Sequence, residues 1–194
     1  ILTDAGREVV AAARRVVEQA YGIEAITHCY HDPLVGKLHL GLIPTIAPYL
    51  LPLIIPPLNQ QLPGLQLFLH EQQTAHLLER LERAELDLLI LALPVEGTAP
   101  FVEQALYHEP FQLAIAADRL SPQRQRATLA DLQQHPILLL EEGHCLRGHA
   151  LDLCYQVGHA REYEGFRGTS LETLRQMVGE GIGVTLMPQL AIHS

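Results

Sequence analysis

The sequence predicts an α/β protein, with two small units behind an N-terminal helix. Three observations carry that expectation. Strand-like and amphipathic helical segments alternate in the order β-α-β-α-β, then alternate again, as parallel sheets with right-handed crossovers require. The run from Asp87 to Leu93 is apolar after its first residue, the pattern of a strand covered on both faces. With 194 residues, 48% hydrophobic and 18% charged, the chain has enough apolar material for a core, in one ordinary domain or two small ones.

The elements follow in order. Residues 3–20 read as a helix, with Thr3 as N-cap and Val9, Val10, Ala13, Val16, Val17 and Ala20 in one stripe. Gly22 to Asp32 shows no periodicity and reads as a linker. Lys37 to Leu42 is a strand. Pro44-Thr45 opens a helix that runs into a Leu/Ile/Pro-rich stretch ending near Leu62, and Pro63-Gly64 turns the chain. Leu65 to His70 alternates as a strand. Thr74 to Glu85 is a helix with Leu77, Leu78 and Leu81 on one face, and Asp87 to Leu93 closes the first unit.

After a loop from Pro94 to Pro100 and an extended stretch from Phe101 to His108, a second unit begins. Phe111 to Ala116, Ile137 to Glu141 and Val184 to Met187 read as strands, and Glu162 to Arg167 as extended. Thr128 to Gln134, Leu146 to Gly158 and the segment opened by Ser170 read as helices. The expected organisation is a helix over 1–22, a linker over 23–36, one unit over 37–107 and a second over 108–194. Two such units leave a cleft between them, the usual ligand site of open α/β sheets.

Composition narrows the function. Thirteen basic against 22 acidic residues give a net charge of −9, a surface that repels phosphate and disfavours nucleic-acid binding by this segment. Aromatics are 5% with no Trp, too few for a base-stacking platform. No apolar run reaches the ~18 residues of a membrane span; the richest, Ile46 to Leu58, is broken by Pro48, Pro52, Pro56 and Pro57. The sequence opens at Ile1 inside a helix start and stops after a strand, so the expectation is a fragment of a cytoplasmic protein, cut at both ends and without a signal peptide. Three cysteines (Cys29, Cys145, Cys154) are too few for a secreted disulfide framework.

The stretch Glu141-Glu142-Gly143-His144-Cys145-Leu146-Arg147-Gly148-His149 carries the chemistry, with Cys154 nine positions beyond Cys145. On one straight helix these thiols would face opposite sides, ~13.5 Å apart along the axis. A disulfide needs Cα atoms within about 7 Å, so bridging them requires unwinding. Two readings stand: unrelated thiols, one a small buried hydrophobe, or a switch reduced in one fold and bonded in another. Cys145 at a helix N-terminus, with His144 and Arg147 beside it, suits a stabilised thiolate, while Glu141 and Glu142 oppose it. A metal site is the competing chemistry, because Cys145 and His149 are spaced as ligands on one helix face and Cys154 and His159 are close in sequence. Cys154 points away from that pair, and CxxC and HxxxH are absent, so no metal is expected. Cys29, between His28 and His31, reads as an incidental exposed thiol. Walker A, GxSxG and HExxH are absent too, which leaves nucleotide and hydrolase readings without support.

Several segments together resemble a known family. Leu2-Thr3-Asp4-Ala5-Gly6 with its helix resembles the linker helix of LysR-type transcriptional regulators, and Gly36-Lys37-Leu38-His39-Leu40-Gly41 the first strand of their effector domain. Gly41-Leu42-Ile43-Pro44-Thr45, His70-Glu71-Gln72-Gln73-Thr74, Gly143-His144-Cys145-Leu146-Arg147 and Thr169-Ser170-Leu171-Glu172-Thr173-Leu174-Arg175 are similar to the hydrogen-peroxide-sensing members of that family, as is the cysteine spacing. The resemblance implies two Rossmann-like, periplasmic-binding-protein-like subdomains. It implies that Cys145 is peroxidatic and Cys154 resolving, and that Thr45, Thr74, His144 and Arg147 support the peroxide and the thiolate. It implies a sensor without a cofactor, reacting once per reduction rather than turning over, with hydrogen peroxide as its input. The partners it implies are a homodimer or tetramer, RNA polymerase, glutaredoxin or thioredoxin as reductant, and DNA through an N-terminal winged helix-turn-helix lying outside this chain. The family's C-terminal return, which completes the first subdomain, is also expected to lie outside it. The bland alternatives are that Thr45 and Thr74 cap helices and that Arg147 pairs with Glu141 or Glu142. The competing functions are an effector domain binding a small organic ligand with inert cysteines, and a thiol peroxidase with turnover.

Overall fold

Strand β1 (Gly36–Leu42) organises the first unit. Its alternate residues face two helices, and both its edges are paired. The computed structural model describes residues 3–29, 34–119, 128–156, 158 and 161–192, with side chains for all of these except 7, 11, 18, 21–29, 129 and 130. β1 lies between β2 (Leu65–Glu71) and β3 (Leu88–Ile90), all parallel, in the order β2-β1-β3. Helices α2 (Ala47–Gln61) and α3 (Thr74–Glu82) make the crossovers. Leu40 and Leu42 pack with Ala47 under α2, while Ile43, Ile46, Leu77 and Leu86 form a second cluster under α3. α3 sits so close to β1 that a Cβ on Gly41 would stand 2.5 Å from the Leu89 side chain and 2.8 Å from that of Leu77.

Three expectations for this unit change. The N-terminal helix α1 runs Asp4–Cys29, through Gly22 and residues 23–29 that read as linker. One glycine costs a helix only about 1 kcal/mol, and Ile23 to Thr27 contains no proline to stop it. Thr3 caps it as expected, accepting a hydrogen bond from Gly6 N at 3.1 Å. Helix α2 begins at Ala47 rather than at Pro44, after a turn, and continues through Pro52, Pro56 and Pro57. All three prolines are on its exposed side, where water can serve the carbonyls they leave unbonded. β3 is short and Leu88 is 54% exposed, so the apolar run at 88–93 is not a doubly covered strand. Among the described residues β3 pairs with β1 alone, and the chain then leaves the sheet at Leu93-Pro94, a cis peptide bond.

The doubly covered strand is β5 (Ile137–Leu140) of the second unit, buried at every position. Leu138 and Leu140 pack against α6 (Leu171–Gly179) with Leu171, Leu174 and Val178; Ile137 and Leu139 pack on the opposite face with Leu132, Ala150 and Cys154. β5 pairs in parallel with β6 (Glu162–Gly168), and β4 (Phe111–Ala114) pairs antiparallel with β7 (Thr185–Pro188). A bridge between Ile137 and Val184, with Leu138 N donating to Val184 O at 2.7 Å, joins the two pairs into one layer. α4 (Leu129–Gln134) carries a capping box in which Thr128 and Asp131 satisfy each other's backbone N–H. The stretch 101–108 enters no sheet. No described helix is long and apolar enough to cross a membrane.

Candidate functional site: a thiol at a helix N-terminus

Helix α5 (Cys145–Gln156) follows β5 through a turn at Gly143, whose φ of +95° is in the left-handed region that favours glycine. That turn delivers His144 and Cys145 to the helix N-terminus, where unpaired backbone N–H groups and the helix dipole favour negative charge. Cys145 is a free, half-buried thiol that packs against the first unit's cluster of Ile43, Ile46, Leu77 and Leu86. It lies in a narrow crevice between the units, lined also by Pro44, Thr45, Gln73, Thr74, Gly143 and His144. A separate crevice, lined mainly by leucines of the second unit's core, shares none of these residues.

The structure therefore gathers four of the six predicted site residues: Thr45, Thr74, His144 and Cys145. Neither threonine caps a helix; Ile46 and Gln73 occupy those positions. Thr45 is 3% exposed, and Thr74 Oγ1 is buried with no hydrogen-bond partner among the described residues. An orphaned hydroxyl costs about 1–3 kcal/mol, and this one leaves its donor and acceptor capacity unused beside a thiol. His144 is 8% exposed. Burial pushes its pKa down, and the Glu141 carboxylate partly offsets this, so the ring is held towards its neutral form.

The other two residues lie elsewhere. Arg147 was expected beside the sulfur. Its guanidinium instead forks onto Glu162 of β6, at 3.1 and 3.2 Å, and donates to Leu140 O at 3.0 Å. The arginine pairs with neither Glu141 nor Glu142; it ties α5 to the sheet beneath it. Cys154, 2% exposed, sits in the cluster of Leu132, Ile137 and Leu139. Burial raises its pKa and keeps the thiol protonated. Both cysteines ride on one helix but occupy different cores, and a bond between them requires α5 to unwind.

Two contacts across the units had no signal in the sequence. Gln73 Nε2 donates to Glu141 Oε1 at 3.4 Å, and His149 Nε2 lies 2.9 Å from Pro94 O. Among the described residues no three His, Cys, Asp or Glu side chains converge as metal ligands. His159 lies outside the described residues, as do the side chains of His28 and Cys29 and all of His31.

Residues 31–194 match the LysR substrate binding domain family. The chain belongs to that family. Its periplasmic-binding-protein-like α/β fold is thereby established. The LysR domain is 45% identical over 192 residues to the hydrogen peroxide-inducible genes activator of Dickeya chrysanthemi, covering 99% of this chain and 62% of that protein. It is similarly 45% identical to the DNA-binding transcriptional dual regulator OxyR of Escherichia coli K12, again covering 99% of this chain and 62% of the relative. The chain thus spans under two thirds of the length of these curated relatives. Among solved structures, the reduced form of OxyR superposes with a TM-score of 0.71 at 47% identity, covering 81% of this chain and 73% of that one.

Proposed function

We propose that this LysR domain is the peroxide-sensing regulatory part of a transcription factor, with Cys145 as the reacting thiol. The observation that carries the reading is the crevice: a thiol at the N-terminus of α5, facing the unpartnered Thr74 hydroxyl and the near-neutral His144. The Cys145 thiolate attacks one peroxide oxygen. An S–O bond forms, the O–O bond breaks, and sulfur gives up an electron pair to become a sulfenic acid. The departing hydroxide takes a proton and leaves as water. Thr45 and Thr74 hold the peroxide oxygens, and His144 serves the proton transfer.

Oxidation adds volume and polarity to a side chain packed against the apolar cluster of Ile43, Ile46, Leu77 and Leu86. α5 unwinds, and Cys154 leaves its apolar cluster and attacks the sulfenic sulfur. An S–S bond forms, the S–O bond breaks, and water departs. The new fold changes how subunits pack, and so how paired DNA-binding domains meet their half-sites and switch on oxidative-stress genes. Val9, Val16 and Val17 of α1 are exposed in the single chain, which supports a homo-oligomer joined along that helix. Glutaredoxin or thioredoxin resets the switch, and RNA polymerase reads its output. The sensor is stoichiometric, not an enzyme with turnover, and acts in the cytoplasm. The crevice offers little room for an organic effector, which weighs against a ligand-binding domain with inert thiols.

The test is an intact mass and peptide map of the reduced chain after brief, near-stoichiometric hydrogen peroxide. Loss of two hydrogens, mapped to a Cys145–Cys154 link and absent in Cys145→Ser, is the expected result. An unreacted, folded chain overturns the reading and directs attention to ligand screening.

A further inference from the structure

We infer that Gln73 is a specificity-determining residue of this crevice, whose amide lies across it and sets the size of hydroperoxide that reaches Cys145. The inference rests on the reading of Cys145 as the peroxide-reactive thiol.

Gln73 sits at the N-cap of α3 but makes no capping bond with its side chain. The side chain reaches instead from the first unit to the second, where Nε2 donates to Glu141 Oε1 at 3.4 Å. On the way it rests on the bare face of Gly143. A Cβ there would stand 2.6 Å from Gln73 Oε1 and 2.9 Å from Cδ, so the amide occupies the space that any other residue would fill. The remaining walls are held firmly. Ile43, Thr45, Thr74 and His144 are buried, and the ring of Pro44 is rigid. Among the described lining residues Gln73 is the long, partly exposed, rotatable wall, held to Glu141 by a hydrogen bond longer than the usual range. The width of the crevice is therefore decided by where this amide lies.

The chemistry itself does not discriminate. With any hydroperoxide ROOH, the thiolate takes the terminal oxygen, the O–O bond breaks, sulfur loses an electron pair, and the alkoxide leaves with a proton as ROH. Hydrogen peroxide is little larger than water and needs only a small displacement of the amide. tert-Butyl hydroperoxide carries a branched alkyl group that must displace it. Steric discrimination of this kind in a fitted site is worth roughly 10–200-fold in rate.

The test compares rates of Cys145 oxidation by hydrogen peroxide and by tert-butyl hydroperoxide in the wild-type chain, Gln73→Ala and Gln73→Glu. Alanine removes the wall, and glutamate is repelled by Glu141. In both variants the preference for hydrogen peroxide should fall about tenfold. A structural role alone would change both rates together, with a lower unfolding temperature and an unchanged ratio, and would overturn the inference. So would an unchanged ratio in a variant of wild-type stability. A folded wild-type chain that reacts with neither oxidant removes the peroxide reading itself, whereas a reactive wild type with an insensitive ratio removes only the role of Gln73.

Discussion

His39 Nδ1 and His70 Nε2 lie 3.1 Å apart across β1 and β2, and the Arg80 guanidinium stands 3.3 Å from the other ring nitrogen of His70. Arginine only donates, so His70 Nδ1 accepts and its Nε2 carries the proton that goes to His39 Nδ1. The His70 ring is neutral in this chain of bonds, and a proton added to its Nδ1 breaks the link to Arg80. Phe68 stacks on His39 with ring centroids 4.8 Å apart, Asp87 accepts from His39 N, and Glu85 holds Arg80. The relay fastens α3, whose first residue is Thr74, to the sheet.

The pH dependence follows. Burial first, then Arg80 and His39, push the His70 pKa below its ordinary 6.5. The unfolded chain then binds a proton near 6.5 that the folded chain refuses, so stability is full above that pH and declines as pH falls through the folded value. Thermal unfolding should show this acid-side decline, and His70→Asn should shrink it. A His70→Asn curve parallel to wild type from pH 7 to 5 would contradict it.

Thr74→Val should separate stability from reactivity. The hydroxyl it removes is buried and unpartnered, so the variant should gain about 1 kcal/mol. It should also lose a peroxide contact and oxidise more slowly. Denaturant midpoints and oxidation rates on the same sample check both arms.

Arg147→Ala should cost about 2–3 kcal/mol, because its side chain is only 12% exposed and its loss leaves Glu162 without its bidentate partner. A double-mutant cycle with Glu162→Gln should return a coupling energy well above that of an exposed pair. Near-additivity, together with slowed oxidation at full stability, would return the guanidinium to the sulfur.

Cys154→Ser should trap the first product. It places a hydroxyl in an apolar cluster, which costs about 1–3 kcal/mol, and it removes the resolving thiol. Mass spectrometry should then find one added oxygen on Cys145 after peroxide. Rapid disulfide formation in this variant would assign the second thiol to Cys29.

Local pattern made much of the fold legible. Thr3 as cap, the strand at Lys37 to Leu42, the Thr128 helix start and the placement of Cys145 at a helix N-terminus all follow from interactions within a few residues. One misread element is a segment whose state depends on distant partners. The apolar run at 88–93 resembles a buried strand, but burial belongs to β5, which has a helix on each face.

The sequence by itself determined the α/β alternation and the pair of thiols on one helix, both written in residue type and short-range spacing. The two threonines entered through the family resemblance, since nothing within a few residues of either marks it for a shared crevice. Only the tertiary structure decided that Arg147 serves Glu162, fifteen residues away, and that Gln73 crosses to Glu141, sixty-eight residues away. The nine-residue spacing put Cys145 and Cys154 on opposite sides of one helix, and the tertiary structure decided which core each side meets. The physical reason is common to all three. A long polar side chain goes to whichever acceptor the packed sheets and helices bring within about 3 Å, and a thiol is buried by whichever neighbours close over it, and neither leaves a mark on the residues next to it in sequence.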